Sequence, residues 1–191
     1  MTRQLPGDSL HPSAPGATGQ RDFLACAVHA LFLYALAEFQ SGHVSAIEVE
    51  VKGLTFRVSD DGRGHAIERQ VDGIPYLRFM YEHFDYPFEG THGGAVQLQG
   101  IGMSLLNALS SQMTVTASRD GLIAQLRFSG GRLMHRSVDV AEPGQTGNSV
   151  SGTLRAELGL RTSDVHGLRD SLGRVARVHP SLKLVFNGVL L

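Results

Sequence analysis

Residues 58–64 are Val-Ser-Asp-Asp-Gly-Arg-Gly, and this stretch decides how the rest of the sequence is interpreted. The alternating residues before it, 54–58 (LTFRV), predict a strand that runs directly into it. Asp60 would then end a central strand, where a carboxylate is costly to bury unless it accepts specific hydrogen bonds. Gly62 and Gly64 would let the backbone approach a flat ligand closely. This combination is typical of an adenine site, and the alternative is an ordinary Asp-Gly turn.

Two further stretches carry possible binding chemistry. Residues 100–110 (GIGMSLLNALS) place glycines at the start of a predicted helix, where free N–H groups and the positive dipole end attract phosphate. The alternative is a plain helix start, since many helices begin with glycine. Residues 146–155 (TGNSVSGTLR) are interpreted by themselves as a polar loop that enters a strand.

Hydrophobic periodicity predicts the remaining elements. Helical spacing over 22–40 ends at Ser41-Gly42, and a hairpin of strands 46–51 and 54–58 turns at Lys52-Gly53. The later elements are helices at 76–83, 103–111 and 163–178, a long loop at 84–99, and strands at 113–118, 123–128, 132–140, 152–158 and 183–186. This order predicts an α/β (α+β) two-layer sandwich with helices on one face of a mixed, mostly antiparallel sheet.

Composition limits the class of protein. The chain has 191 residues, 42% of them hydrophobic, which suits one domain. We expect a disordered tail at 1–20, rich in Pro, Gly and Ser, and one domain over 21–191. The net charge of −1 argues against nucleic-acid binding by phosphate neutralisation. A single cysteine, Cys26, together with the lack of a secretory signal or membrane span, predicts a cytoplasmic protein.

The three stretches together, in this order, resemble the Bergerat-type ATP-binding fold of the GHKL superfamily. Within it the chain is most similar to the ATPase domain of type II topoisomerase B subunits (gyrase B-like), over roughly residues 23–191. The motifs that carry the resemblance are Ser41-Gly42-His43 before AIEVEV, then VSDDGRG, then GIGMSLLNALS, and then a Gly-Thr strand. The resemblance implies that ATP or ADP is the ligand.

The resemblance also implies roles for particular residues. Asp60 would accept from the adenine amino group, Gly64 would lie against the base, and Thr153 would complete a water network there. Arg63 would pair with Glu38 at the rim of the pocket. The phosphates would be lined by the backbone of Gly100, Ile101, Gly102 and Met103.

The first helix departs from the family pattern. Counting back from Ser41 puts Ala30 where the family has a glutamate general base, and Tyr34 where it has an asparagine that binds magnesium. Alanine cannot accept a proton, and a phenol is a poor magnesium ligand, so we expect no catalytic residue here and doubt a role for magnesium. The family's lid lysine is also missing between Glu82 and Gln99. The nine histidines form no zinc-ligand pattern.

Three functions remain open. The first is a nucleotide-binding pseudo-ATPase that binds ATP or ADP with little hydrolysis and acts through a protein partner, which the adenine residues favour. The second is a working ATPase or ATP-driven switch whose base comes from elsewhere. The third is an interaction module that has lost its nucleotide. We find no counterpart of the family's second domain in these residues, and expect no topoisomerase activity from them alone.

Overall fold

The computed structural model of the chain describes residues 23–82, 103–158 and 165–191. The tail predicted at 1–20 and the loop predicted at 84–99 lie outside these ranges. The described helices and strands are α1 (Phe23–Gln40), β1 (Ala46–Lys52), β2 (Thr55–Asp60), β3 (Gln70–Val71), β4 (Ile74–Pro75), α2 (Tyr76–Glu82), α3 (Met103–Leu109), β5 (Ser110–Arg119), β6 (Leu122–Ser129), β7 (Arg132–Val140), β8 (Gly147–Leu154), α4 (Val165–Val178), β9 (Lys183–Phe186) and β10 (Val189–Leu190).

Eight of the described strands form one sheet, in the order β10-β9-β1-β2-β8-β5-β6-β7. Every neighbouring pair is antiparallel except β1 and β9, which are parallel. The mixed, mostly antiparallel sheet predicted from the sequence is therefore confirmed. The short β3–β4 pair and the edge strand β10 were not predicted.

The helices cover one face of this sheet. Alternation sets that face, since β1 buries Ile47, Val49 and Val51 against the helices while Glu48 and Glu50 lie on the other side. Helix α1 packs on β1 and β2, and α4 packs on β9, which confirms the two-layer arrangement. No helix in the described ranges is long and apolar enough to span a membrane.

Several predicted boundaries are wrong, among them those of α3 and β8. Helix α3 ends at Leu109 rather than at 111, because Ser110 already pairs with Leu154 in the sheet and its hydroxyl donates to the Leu106 carbonyl at 2.8 Å. Strand β8 begins at Gly147 rather than at 152 and ends at Leu154, and residues 156–158 form a 3-10 turn. The second difference changes which side chain lies opposite Asp60.

Candidate nucleotide site

Asp60 and Asn148 lie directly opposite each other where β2 ends and β8 begins. Asn148 Nδ2 is 3.3 Å from Asp60 Oδ2 and 3.4 Å from Oδ1, and the Gly62 N–H donates to Oδ1 at 3.0 Å. Burial raises the pKa of Asp60, while the hydrogen bonds from Gly62 and Asn148 act in the opposite direction. A carboxylate has about four acceptor positions, so this half-buried group retains capacity for a further donor.

The neighbouring carboxylate, Asp61, has a structural role. It accepts from the backbone N–H groups of Ser45 at 2.8 Å and Ala46 at 2.9 Å, and from the Ser45 hydroxyl. Burial alone would raise the pKa of Asp61, but these hydrogen bonds outweigh it and leave the pKa below its usual value. Asp61 therefore holds the entry to β1, whereas Asp60 is the carboxylate with spare acceptor capacity.

Two glycines are required here by the protein's own backbone. Gly64 has a φ of +75°, and a Cβ at this position would lie 2.1 Å from the Ser118 carbonyl oxygen. Gly147 has a φ of +110°, and its Cβ would lie 2.0 Å from the Asp60 carbonyl oxygen. These close approaches lock the 62–64 turn between β5 and β8. The contact of Gly64 with a base remains a prediction.

Arg63 links this turn to helix α1. Its Nε and Nη2 donate to Glu38 Oε2 and Oε1 at 3.1 Å and 3.0 Å. A bidentate ion pair of this kind fixes the orientation of the guanidinium and carboxylate planes, and it raises the pKa of Arg63. Glu38 is thereby committed to Arg63, and the position of this pair at the rim of a nucleotide pocket remains a prediction.

Three tyrosines and one histidine, two of them buried and two half-buried, form the Tyr–His cluster (Tyr34, His65, Tyr76 and Tyr81). The Tyr34 hydroxyl lies 3.3 Å from His65 Nδ1 and also bonds the Tyr76 side chain. The His65 backbone N–H donates to Asn148 Oδ1 at 2.8 Å. Burial lowers the pKa of His65 to about 4, so its ring is neutral at neutral pH. Burial, with smaller contributions from Tyr76, Tyr81 and Glu38, raises the pKa of Tyr34.

Ala30 and Tyr34 occupy the two positions on α1 where the resemblance implies a general base and a magnesium ligand. Ala30 presents a methyl group, and His29 beside it stacks on Phe32 with ring centroids 6.2 Å apart. Tyr34 is a neutral phenol bonded to His65 and Tyr76, which does not suit magnesium, a cation that prefers carboxylate and water oxygens. Within the described ranges, no three His, Cys, Asp or Glu side chains group closely enough to hold a metal.

The structure does not bring Thr153 to Asp60, and the expectation of a shared water network is wrong for this residue. Thr153 pairs with Thr55, five residues along β8 from Asn148, and their Oγ1 atoms are 3.2 Å apart. Because side chains alternate along a strand, Thr153 faces the sheet side opposite to Asn148 and Asp60. Asn148 occupies the position that Thr153 was expected to fill.

The implied phosphate-binding residues are only partly described. Met103 is the first residue of α3 and is buried. Gly100, Ile101 and Gly102 lie outside the described residues, so the prediction for their backbone stays untested.

Sequence reasoning missed Asn148, His65, Tyr76 and Tyr81. The local signal for Asn148 is ambiguous, because Gly147-Asn148 and Gly152-Thr153 are equivalent glycine-polar pairs in the sequence. The sequence around the two tyrosines of α2 does not show that they belong to the Tyr–His cluster, since aromatic residues at helical spacing are equally common in an ordinary hydrophobic core.

Comparison with known proteins gives relatives of one kind. No protein-family model matches the chain. The chain is 31% identical to the DNA gyrase B protein of Thermus thermophilus over 160 residues, which is 80% of this chain and 25% of that protein. It is 29% identical to the DNA gyrase B protein of Campylobacter jejuni over 125 residues, 61% of this chain and 16% of that protein. It is 27% identical to the DNA topoisomerase 4 B protein of Escherichia coli over 127 residues, 61% of this chain and 19% of that protein.

The solved structures that resemble the chain are ATP-binding domains of the same two kinds of protein. The ATP-binding domain of Francisella tularensis topoisomerase IV, solved with a small-molecule inhibitor, superposes with a TM-score of 0.70 at 18% identity, covering 86% of this chain and 83% of that one. The 43K ATPase domain of Thermus thermophilus gyrase B, solved with an aminocoumarin, gives 0.68 at 25% identity, covering 86% and 43%. These likenesses confirm the fold. The chain spans 16% to 25% of the length of the curated relatives it matches.

Proposed function

We propose that this chain, which is homologous to the gyrase B and topoisomerase IV B proteins and has the GHKL fold of their ATPase domains, binds ATP or ADP with little or no hydrolysis. The observation that carries the proposal is Asp60, a half-buried carboxylate held by Gly62 and Asn148 with acceptor capacity left over. An exocyclic amine of a purine base supplies the missing donor.

Support for weak hydrolysis comes from α1. Hydrolysis needs a group that takes a proton from water, and Ala30 has none. The neighbouring candidates are engaged or directed elsewhere, since Glu38 pairs with Arg63 and His29 stacks on Phe32. A positioned general base contributes about 10²–10⁴-fold to rate, so its absence leaves turnover near the background.

The neutral Tyr–His cluster supports a second part of the proposal. The carboxylate nearest in the sequence to Tyr34 that acts on it, Glu38, is already paired with Arg63, and a phenol and a neutral imidazole are poor magnesium ligands. Nucleotide binding therefore depends little on the metal. A nucleotide that is bound but not hydrolysed stabilises the conformation that binds it and does not drive the domain through a hydrolysis cycle. We therefore propose that the domain acts through a protein partner, of which the described residues give no identity.

Titration of the purified protein with ATP, ADP and GTP tests the proposal, with Asp60→Asn as the informative variant. The substitution turns part of an acceptor into a donor that faces the amine, so ATP affinity falls by roughly ten- to a hundred-fold. Asp61→Asn is the matched control, because it removes the same charge from the neighbouring residue and leaves ATP affinity unchanged once folding is verified.

Each other outcome identifies a different function. Wild-type protein that binds no nucleotide is an interaction module, and magnesium-dependent turnover by pure wild-type protein identifies a working ATPase. Equal ATP affinity of Asp60→Asn and wild type contradicts the role of Asp60 in base recognition.

A further inference from the structure

Strand β7 forms one edge of the sheet. It is the last strand in the sheet order, and β6 is its neighbour among the described strands. The β6–β7 pairing is regular from His135 to Val140, so the outer backbone groups of this stretch form a regular row that a further strand can join. Proline or a bulge often protects such an edge, but β7 contains no proline and the irregularity in its pairing lies earlier, at Arg127/Phe128.

The apolar side chains of β7 are exposed as well. Met134 is 68% exposed, Val138 is 38% exposed and Val140 is 84% exposed. Val138 pairs directly with the buried Ala124 of β6, so Val138 and Val140 lie on the helix-covered face of the sheet but beyond the helices. A row of exposed apolar side chains along a sheet edge is typical of a surface that binds another protein.

The charges of β7 are divided between its two ends. Arg132, His135 and Arg136 lie in the first part of the strand, and Asp139 lies near its end. His135 pairs directly with Arg127 of β6, which adds a basic group to the same face of the sheet. A strand with a basic start and an acidic end is complementary to a second copy that runs antiparallel to it. A two-fold dimer requires this kind of self-complementary surface.

The flanking N–H groups set the limits of the available edge. The Leu133 N–H donates to Glu82 Oε1 of α2 at 2.9 Å. The Ala141 N–H donates to the Gly121 carbonyl at 2.9 Å. Residues 134–140 between them are therefore the stretch that a second strand can pair with.

We infer that residues 134–140 of β7 bind a second copy of this chain, as an antiparallel strand pair that joins the two sheets. Main-chain hydrogen bonds supply the affinity in this mode of recognition, and the side chains that face each other supply the specificity. This inference goes beyond the proposed function, and nucleotide binding does not enter it.

The side chains favour one register, in which the two-fold axis passes through Ser137, the midpoint of the stretch. Each other direct pair then occurs twice, because both copies contribute to it. His135 lies opposite Asp139, and the exposed apolar residues at the two ends of the stretch meet each other. A pairing centred on Arg136 would instead place two arginines opposite each other, which is destabilising.

Charge reversal tests this surface by sedimentation velocity, at protein concentrations from roughly micromolar to roughly millimolar. Wild type shifts reversibly from monomer to dimer over this series. Asp139→Lys places a lysine against His135 and near Arg127, twice in each dimer, so the dimer Kd rises roughly tenfold or more. Asp170→Lys is the matched control, because it makes the same change at an exposed position of α4 and leaves the dimer Kd unchanged.

The double variant His135→Asp/Asp139→Lys tests the register, since it restores the opposite-charge pair in reversed order. Its dimer Kd returns to within about threefold of the wild-type value. His135 and Asp139 are exposed, so these variants keep the fold, which circular dichroism verifies. Hydrogen exchange of residues 134–140 slows as the wild-type dimer forms.

Four results overturn the inference. Wild type that stays monomeric over the whole series shows that β7 does not bind a second copy. Asp139→Lys that dimerises as wild type does, or a dimer in which exchange of residues 134–140 does not slow, shows that another surface is used. A double variant as weak as Asp139→Lys excludes the pairing centred on Ser137.

Discussion

Asn148 donates to Asp60 across the β2–β8 pairing at 3.3 Å, and its amide oxygen accepts from the His65 backbone N–H at 2.8 Å. The Asn148 side chain thus orients both the Asp60 carboxylate, which is the candidate adenine acceptor, and the backbone of His65, which belongs to the Tyr–His cluster. Strand register alone creates this link, because Asp60 and Asn148 are direct cross-strand partners.

Replacing Asn148 by Asp places a second carboxylate against Asp60. Two carboxylates at this distance cannot both ionise without penalty, so one pKa rises above its unfolded value. Stability from such a group is present below the unfolded pKa and is lost as pH rises through the folded pKa. We expect Asn148→Asp to lose about 2 kcal/mol of unfolding free energy between pH 5 and pH 8, relative to Asn148→Ala. Urea unfolding at both pH values measures this, and parallel pH profiles of the two variants would contradict it.

His65 predicts a dependence of opposite sign. Its pKa is lowered to about 4 in the folded protein, so the unfolded chain binds the proton first as pH falls. Stability is therefore complete above about pH 6.5 and declines between pH 6.5 and pH 4, by about 3 kcal/mol in total. His65→Leu removes this decline, whereas His166→Gln, at an exposed position of α4, retains it. A wild-type decline that persists in His65→Leu shows that another group causes it.

Gly64 tests how tightly the 62–64 turn is locked. A Cβ at Gly64 meets the Ser118 carbonyl oxygen at 2.1 Å, whereas Gly121 has a similar φ of +78° and nothing within 4 Å. Gly121→Ala carries only the backbone penalty of about 1–2 kcal/mol, and Gly64→Ala adds the clash to it. We expect at least about 2 kcal/mol between the two in chemical unfolding. Similar values for both variants would mean that the turn shifts freely.

The sheet, α1 and the hairpin could be predicted because local signals determine them. Alternation fixes the buried face of β1, and Gly42, with a φ of +78°, ends α1 where a left-handed residue was expected. The bounds of β7 and β9 were likewise correct.

The role of Asn148 could not be predicted because it depends on pairing between residues 88 positions apart. Both Gly147 and Gly152 precede a polar residue, and only the register of β8 against β2 distinguishes them. The places of Tyr76 and Tyr81 in the Tyr–His cluster were missed for a similar reason, since helical spacing does not reveal which distant side chains an aromatic residue lies near.

Restoring the family pattern on α1 tests the account of hydrolysis. Ala30→Glu with Tyr34→Asn supplies a carboxylate and an amide oxygen where the resemblance implies a base and a metal ligand. Tyr34 packs in the Tyr–His cluster, so the double variant loses about 2–5 kcal/mol of stability and its folding is checked first. We expect magnesium to strengthen its ATP binding and faint turnover to appear in a phosphate-release assay. Ala30→Glu alone is the control, and equal metal dependence in the control would show that Tyr34 is not the deciding position.

The central claim is that the site binds adenine nucleotide through Asp60 and its neighbours without needing a metal. Calorimetric titration of wild-type protein with ATP, once in excess EDTA and once in magnesium, tests it most directly. We predict saturable binding in both buffers, with dissociation constants that agree within about threefold, a difference of about 0.7 kcal/mol in binding free energy. Binding that requires magnesium, or no binding in either buffer, would contradict it.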